Sequence, residues 1–127
     1  MHNFEYHRPN SLADAAKVLG SASDGKLIAG GQTLLPTLRA RLAEPSDVID
    51  LGAIAELKGI KVEGDGITIG AMTTHAEVAH SADVKKTIPA LAKLAGGIGD
   101  EQVRHRGTIG GSLANNDPAA DYPAAVL

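Results

Sequence analysis

The short run Lys26-Leu-Ile-Ala29 ends on Gly30-Gly31, and Leu34, Leu35, Leu38 and Leu42 then recur at helical spacing. A buried strand therefore enters a double glycine and leaves as a helix. Upstream, Phe4 to Arg8 reads as a strand stopped by Pro9, and Ser11-Leu-Ala-Asp14 resembles a capping box opening a helix that runs to Leu19. Gly20 is its natural stop. Val48 to Leu51 supplies a further strand. The first fifty residues thus read strand, helix, strand, helix, strand, a βαβ-type pattern.

The middle of the chain changes character. Ile60-Lys-Val-Glu63 and Ile67-Thr-Ile-Gly70 alternate apolar and polar residues around Gly64-Asp65-Gly66, which predicts a hairpin. Thr74-His-Ala-Glu77 is a capping box opening a short helix. Pro89 fits the first turn of the next helix, which ends near Gly96-Gly97. The expected class is α+β: a small α/β lobe over residues 1–52, then the start of a second α+β lobe over 53–127, with helices flanking its sheet.

Composition restricts what these lobes can do. The 127 residues carry a net charge of −3, and no Lys/Arg cluster exceeds three residues, which argues against nucleic acid as the main partner. Aromatics are only Phe4, Tyr6 and Tyr122, so the core must be aliphatic. No apolar run approaches the length of a membrane span. Met1 to Tyr6 has no apolar signal core, so the expectation is a cytoplasmic chain. With no cysteine, the chain offers neither disulfides nor thiolate ligands for zinc or iron–sulfur clusters. Any redox chemistry must come from a bound organic cofactor.

Two stretches suit an anion. Ala29, Gly30, Gly31, Gln32 and Thr33 lead into a helix, where free N–H groups and the helix dipole favour negative charge. Glycine permits close approach and positive φ. Thr33 can cap the helix or donate its hydroxyl to a phosphate. Thr108, Ile109, Gly110, Gly111 and Ser112 pair hydroxyls with glycines again, a composition suited to an N–H nest. Asn115, Asn116, Asp117 and Asp121 follow, and a carboxylate there could accept from ribose hydroxyls or a ring N–H. Each stretch also has a plain reading, a tight turn without a ligand, and Asn-Asn-Asp-Pro is a common turn sequence. Neither matches the G-x-G-x-x-G or Walker pattern. One diphosphate held by both stretches would account for their common composition.

Three segments, "FEYHRPNSLADAAKVL", "AGGQTLLP" and "GGIGDEQVRHRGTIGGSLANNDPAADYPAA", resemble the FAD-binding medium subunit of the molybdenum hydroxylases, in particular that of aerobic carbon monoxide dehydrogenase. The flavin domain of xanthine dehydrogenase is a more distant likeness. The resemblance covers the whole chain. It implies an α+β flavin domain like that of vanillyl-alcohol oxidase, with FAD as cofactor. It implies that Ala29 to Thr33 and Thr108 to Ser112 hold the pyrophosphate, that Asp121 lies near the cofactor, and that Ile98 faces the flavin or adenine side. It further implies partners: a large subunit with a molybdenum cofactor and a small subunit with [2Fe-2S] clusters, whose electrons the flavin relays to an external acceptor. The rival reading is a non-catalytic module binding a nucleotide or phosphate for regulation or assembly. Family medium subunits run to more than twice this length, which implies an N-terminal fragment. Asp121-Tyr-Pro123 looks like a helix start, yet only four residues follow Pro123. Leu113, Ala124, Val126 and Leu127 are accordingly expected to present an apolar surface.

Other polar residues suggest less. His75 and His80 stand five apart without a third ligand at a recognisable spacing, so solvent-exposed or capping roles are expected and no metal site. Arg104-His-Arg106 reads as a solvated charge run, and Lys85-Lys86 as solvent-facing. No residue is assigned as an acid, base or nucleophile, because no local signature supports one.

Overall fold

In the computed structural model, residues 1–126 are described, and the chain divides into two compact units, Met1–Glu56 and Leu57–Leu127. The first unit holds β1 (Glu5–His7), α1 (Leu12–Ser21), β2 (Gly25–Ile28), α2 (Leu34–Arg39) and β3 (Asp47–Asp50). Its three strands form a parallel sheet in the order β1-β3-β2, with Glu5 and Gly25 both in register with Asp47. β3 is central because Val48 and Ile49, both β-branched, are buried at 2% and 0% exposure. Ala15 of α1, Leu38 of α2 and Ile54 are also buried in this unit. Gly25 is needed where α1 returns to the sheet: a Cβ there would stand 2.9 Å from Leu19 Cδ1 and 3.0 Å from Ala22 Cβ.

The start of α1 departs from a full capping box. Ser11 Oγ accepts from the Asp14 N–H, but the Asp14 carboxylate returns to the Ser11 hydroxyl, since Asp is one methylene shorter than Glu. Across the sheet, His7 Nε2 lies 2.7 Å from Asp47 Oδ1. The Ser46 hydroxyl bonds the same carboxylate, and these two partners hold Asp47 below the usual carboxylate range, Ser46 contributing most.

The second unit opens with the antiparallel hairpin β4 (Ile60–Glu63) and β5 (Gly66–Ile69). Its loop is Gly64-Asp65, with Gly64 at φ +64°, the sign a type II′ turn requires at its first central residue. Then come α3 (His75–His80), α4 (Ala82–Thr87), α5 (Pro89–Gly97), α6 (Glu101–Arg106), α7 (Ile109–Asn115) and α8 (Pro123–Val126). The core joins Val78, Ala79, Val84, Ala92 and Ala95, with Ile60, Ile67, Ile69 and Leu91 packed against it. It is aliphatic, as the scarcity of aromatics requires. The small residues at 79, 92 and 95 let α3 and α5 approach closely.

Side-chain caps and a first-turn proline start four of these short helices. Thr74 and Glu77 make both bonds of the box at α3. Ser81 ends α3 and accepts from the Val84 N–H to start α4. Pro89 sits in the first turn of α5, and Asp100 accepts from the Val103 N–H at α6. No helix among the described residues is long and apolar enough to cross a membrane. Leu113 is 61% exposed and Ala124 is exposed, whereas the Val126 side chain and Leu127 lie outside the described residues.

Candidate functional site

The first glycine stretch is a turn between β2 and α2. Gly31 is buried and has φ +75°, a conformation that L side chains rarely adopt. A Cβ there would also lie 2.9 Å from Leu35 Cδ1. Glycine is thus required twice over, by backbone angle and by close packing. The Gly31 carbonyl accepts from Leu35 N, starting the helix. The N–H groups of Gly30, Gly31, Gln32 and Thr33 take no protein partner among the described residues. Gln32 and Thr33 are exposed. Thr33 occupies the cap position of α2, but its hydroxyl makes no capping bond, because the residue already has α-helical angles (φ −103°, ψ −47°). The expected cap is absent, and the hydroxyl is left available.

The second glycine stretch is not the loop the sequence suggested. Thr108 caps α7 by accepting from Gly111 N at 3.0 Å, and Ile109 to Ser112 form the first turn of the helix. Their N–H groups are already used: Ile109 donates to Thr73 O, Gly110 to Ala71 O and Ser112 to Thr108 O. A nest of free N–H groups is therefore not what this segment presents. Its available polar group is the Ser112 hydroxyl, half-buried and without a partner among the described residues. Gly110 has a structural reason of its own, since a Cβ would meet Ala71 O and Ala71 Cβ at 2.6 Å. The segment is docked on residues 71–75, with Thr74 and Thr108 forming an isolated antiparallel bridge.

Beyond α7 the chain turns at Asn116, which is left-handed at φ 50°. Asp117 Oδ1 accepts from Ala119 N, closing a local turn. Asp121 is exposed, and its carboxylate makes no hydrogen bond among the described residues. Next to it, Tyr122 is 2% exposed, and its hydroxyl lies 2.7 Å from His75 Nδ1. Burial pushes the Tyr122 hydroxyl up to about 12, with the Asp121 charge adding to the shift. Burial also pushes the His75 imidazole down, opposed by Asp121.

Two expectations are corrected here. His75 is neither exposed nor a cap: it is 5% exposed and paired to Tyr122. Arg104 is not a freely solvated charge, because its Nη1 donates to the Ile98 and Gly99 carbonyls at 3.1 and 2.9 Å. The one signal for the first was Tyr122 itself, the lone aromatic of the second unit, whose hydroxyl needs a partner once buried. No group of three or more His, Cys, Asp or Glu side chains among the described residues could hold a metal ion.

The family described as the FAD binding domain in molybdopterin dehydrogenase matches residues 2–127. The carbon monoxide dehydrogenase medium chain of Hydrogenophaga pseudoflava is 48% identical over 122 residues, covering 95% of this chain and 42% of that one. The xanthine dehydrogenase FAD-binding subunit of Escherichia coli O157:H7 is more distant, 34% identical over 96% of this chain and 42% of its own length. Among solved structures, carbon monoxide dehydrogenase from Hydrogenophaga pseudoflava lacking the Mo-pyranopterin moiety matches with a TM-score of 0.94 at 48% identity, over 96% of this chain and 43% of that one. The mixed α/β architecture is thus that of a flavin-binding domain, and this chain belongs to the FAD-binding domain family of the molybdopterin dehydrogenases. It spans less than half the length of the curated relatives it matches.

FAD is the family's cofactor, and the residues present fit it in part through the backbone and in part through side chains. Gly30 to Thr33 offer unpaired N–H donors beside a glycine at positive φ. Thr108 to Ser112 offers a hydroxyl and a close backbone surface, with its N–H groups taken.

Proposed function

We propose that this chain is the FAD-holding part of an oxidoreductase subunit of the molybdenum hydroxylase type. The observation that carries the reading is the row of unpaired N–H groups from Gly30 to Thr33 at the positive-φ Gly31, in a chain of this family. Those donors would take the pyrophosphate of FAD, as anions are taken wherever oriented N–H groups stand free. Ala29 would line the approach, and the Gln32 and Thr33 side chains are exposed for further contacts. Thr108, Ile109, Gly110, Gly111 and Ser112 would add the Ser112 hydroxyl and a surface without side chains at the two glycines. Asp121, with a free carboxylate, would accept from hydroxyl or ring N–H groups. When bound, FAD supplies the redox chemistry, taking up electrons and passing them to an external acceptor, while the chain binds and orients it.

The partners we infer are a large subunit with a molybdenum cofactor and a small subunit with [2Fe-2S] clusters. These 127 residues contain no cysteine, so they hold no thiolate-ligated cluster themselves. We read the fold more finely as the first part of a flavin domain like that of vanillyl-alcohol oxidase, on the sequence resemblance.

The test uses the complete subunit that carries this sequence. Purified without added cofactor, it is expected to be yellow, with flavin bands in the near-UV and blue. Gly111→Val is expected to purify folded with almost no flavin per protein after gel filtration. Gly111 is helical here and not at positive φ, so the effect would come from blocking close approach. A colourless wild-type subunit that binds pyrophosphate would favour the regulatory phosphate module instead.

A further inference from the structure

Away from both glycine stretches, α3, α4, α5 and α6 line an open, shallow cavity of about 480 Å³. Its floor is made of small residues. Ala79 and Ala92 are buried at the α3–α5 contact, and Gly96 stands so close that a Cβ would touch Ala79 Cβ at 3.7 Å. Its rim carries four basic side chains, one from each helix: His80, Lys85, Lys93 and Arg104. We propose that this cavity binds a small molecule bearing a diphosphate group. The proposal does not rest on the flavin reading.

The charge arrangement argues for an anion. The chain as a whole is acidic, at −3, yet no carboxylate among the described residues comes within ion-pair distance of Lys85, Lys93 or Arg104. Of the carboxylates on these helices, Asp83 and Glu101 form no ion pair with these cations, and two others are engaged elsewhere. Glu77 is held by the Thr74 box, and Asp100 caps α6. Three cations converging on one concavity repel each other, and an anion there reverses the sign of that interaction.

Geometry adds specificity. Arg104 is oriented before any ligand arrives, because Nη1 is tied to the carbonyls of Ile98 and Gly99. That turn is itself fixed: Gly99 has φ +50°, and a Cβ there would meet Val103 at 3.0 Å. The remaining guanidinium N–H groups can therefore form charge-assisted bonds with little ordering cost. Lys85 and Lys93 supply mobile point charges. His80 Nδ1 is bonded to the Ala76 carbonyl, which leaves Nε2 as its free ring nitrogen. A volume of this size falls in the range of small-molecule sites and exceeds what a single phosphate fills. A diphosphate ester matches both the three-cation rim and the small-residue floor.

The experiment is calorimetric titration of the complete subunit with inorganic pyrophosphate and with ADP. Both should bind to the wild type, more weakly as salt is raised. Lys85→Glu with Lys93→Glu, both at exposed positions, should weaken binding by about tenfold or more, a difference of about 1.4 kcal/mol. The neighbouring Lys86→Glu, which does not line the cavity, should change it by less than about twofold. Flavin content should be unchanged in both variants. Arg104→Lys should fold yet lose affinity, since an ammonium cannot replace the oriented guanidinium. No binding to the wild type would overturn the proposal. An equal loss in Lys86→Glu would reduce it to general charge attraction, and loss of flavin with Lys85→Glu and Lys93→Glu would assign the cavity to the flavin itself.

Discussion

His75 Nδ1 and the Tyr122 hydroxyl share a hydrogen bond of 2.7 Å across 47 residues of sequence, with their rings tilted at 47° and 5.4 Å apart. The pair fastens the segment after α7 onto the start of α3. His75 also sits against Gly107, where a Cβ would approach its ring at 2.8 Å. A single buried imidazole thus touches both the entry to α7 and the segment that carries Asp121.

The pair predicts how stability depends on pH. Burial depresses the His75 value in the folded state, so the unfolded chain takes up its proton first as pH falls. Its contribution is complete above the ordinary histidine value, about 6.5, and is lost as pH falls through the lower folded value. Tyr122 acts at the other end. Its hydroxyl is raised to about 12, so its contribution is complete below about pH 10 and is lost as pH rises through the folded value. Urea midpoints between pH 4.5 and 8 should fall on the acid side in the wild type. In His75→Gln they should fall less steeply. An unchanged acid slope would show that His75 is not the group responsible.

Tyr122→Phe keeps the ring in its pocket and removes the hydroxyl. It leaves the His75 Nδ1 without its partner, which should cost about 1–3 kcal/mol of unfolding free energy. A midpoint within error of the wild type would mean that water replaces the hydroxyl.

Gly110 and Gly20 make opposite predictions from the same substitution. Gly110→Ala would drive a Cβ to 2.6 Å from backbone and side-chain atoms of Ala71, so residues 71–75 must move. A loss of about 1–3 kcal/mol is expected. Gly20 lies in the last turn of α1 with nothing within 4 Å of an added Cβ. Gly20→Ala should stabilise by up to about 1 kcal/mol through the unfolded chain's lower entropy. Denaturant midpoints of the two variants, measured side by side, check both.

Much of the fold was legible because local chemistry decides it. The Gly64-Asp65 hairpin, the Thr74–Glu77 box and Pro89 at a helix start depend on residues within four positions of one another. The parallel sheet was visible only as alternation of strands and helices, since strand order depends on where Val48 and Ile49 are buried. Thr108 to Ser112 misled because Thr-Ile-Gly-Gly-Ser suits a turn by composition. Its Thr108 cap is local, but its N–H groups also pair with residues 71–75, a contact about 35 residues away that no spacing encodes. The same limit hid the roles of His75 and Arg104, whose partners are far along the chain or are backbone carbonyls without sequence identity.

The two aspartates after α7 separate a local role from a binding role. Asp117 already spends one carboxylate oxygen on the Ala119 N–H, so its side chain builds the turn. Asp121 carries no such bond among the described residues, although it stands beside the buried Tyr122 and its charge reaches both Tyr122 and His75. Asp121→Ala is therefore expected to weaken FAD binding to the apo-subunit more than Asp117→Ala does. Asp117→Ala should instead lower stability, by about 1 kcal/mol if the turn bond has the usual worth. Removing the Asp121 charge also relieves its effect on Tyr122, so the Tyr122 hydroxyl should titrate at a lower pH in that variant. Flavin fluorescence titration of the two apo-variants, with their urea midpoints, reads both effects. Equal FAD affinities would leave Asp121 with a purely electrostatic role toward Tyr122 and His75.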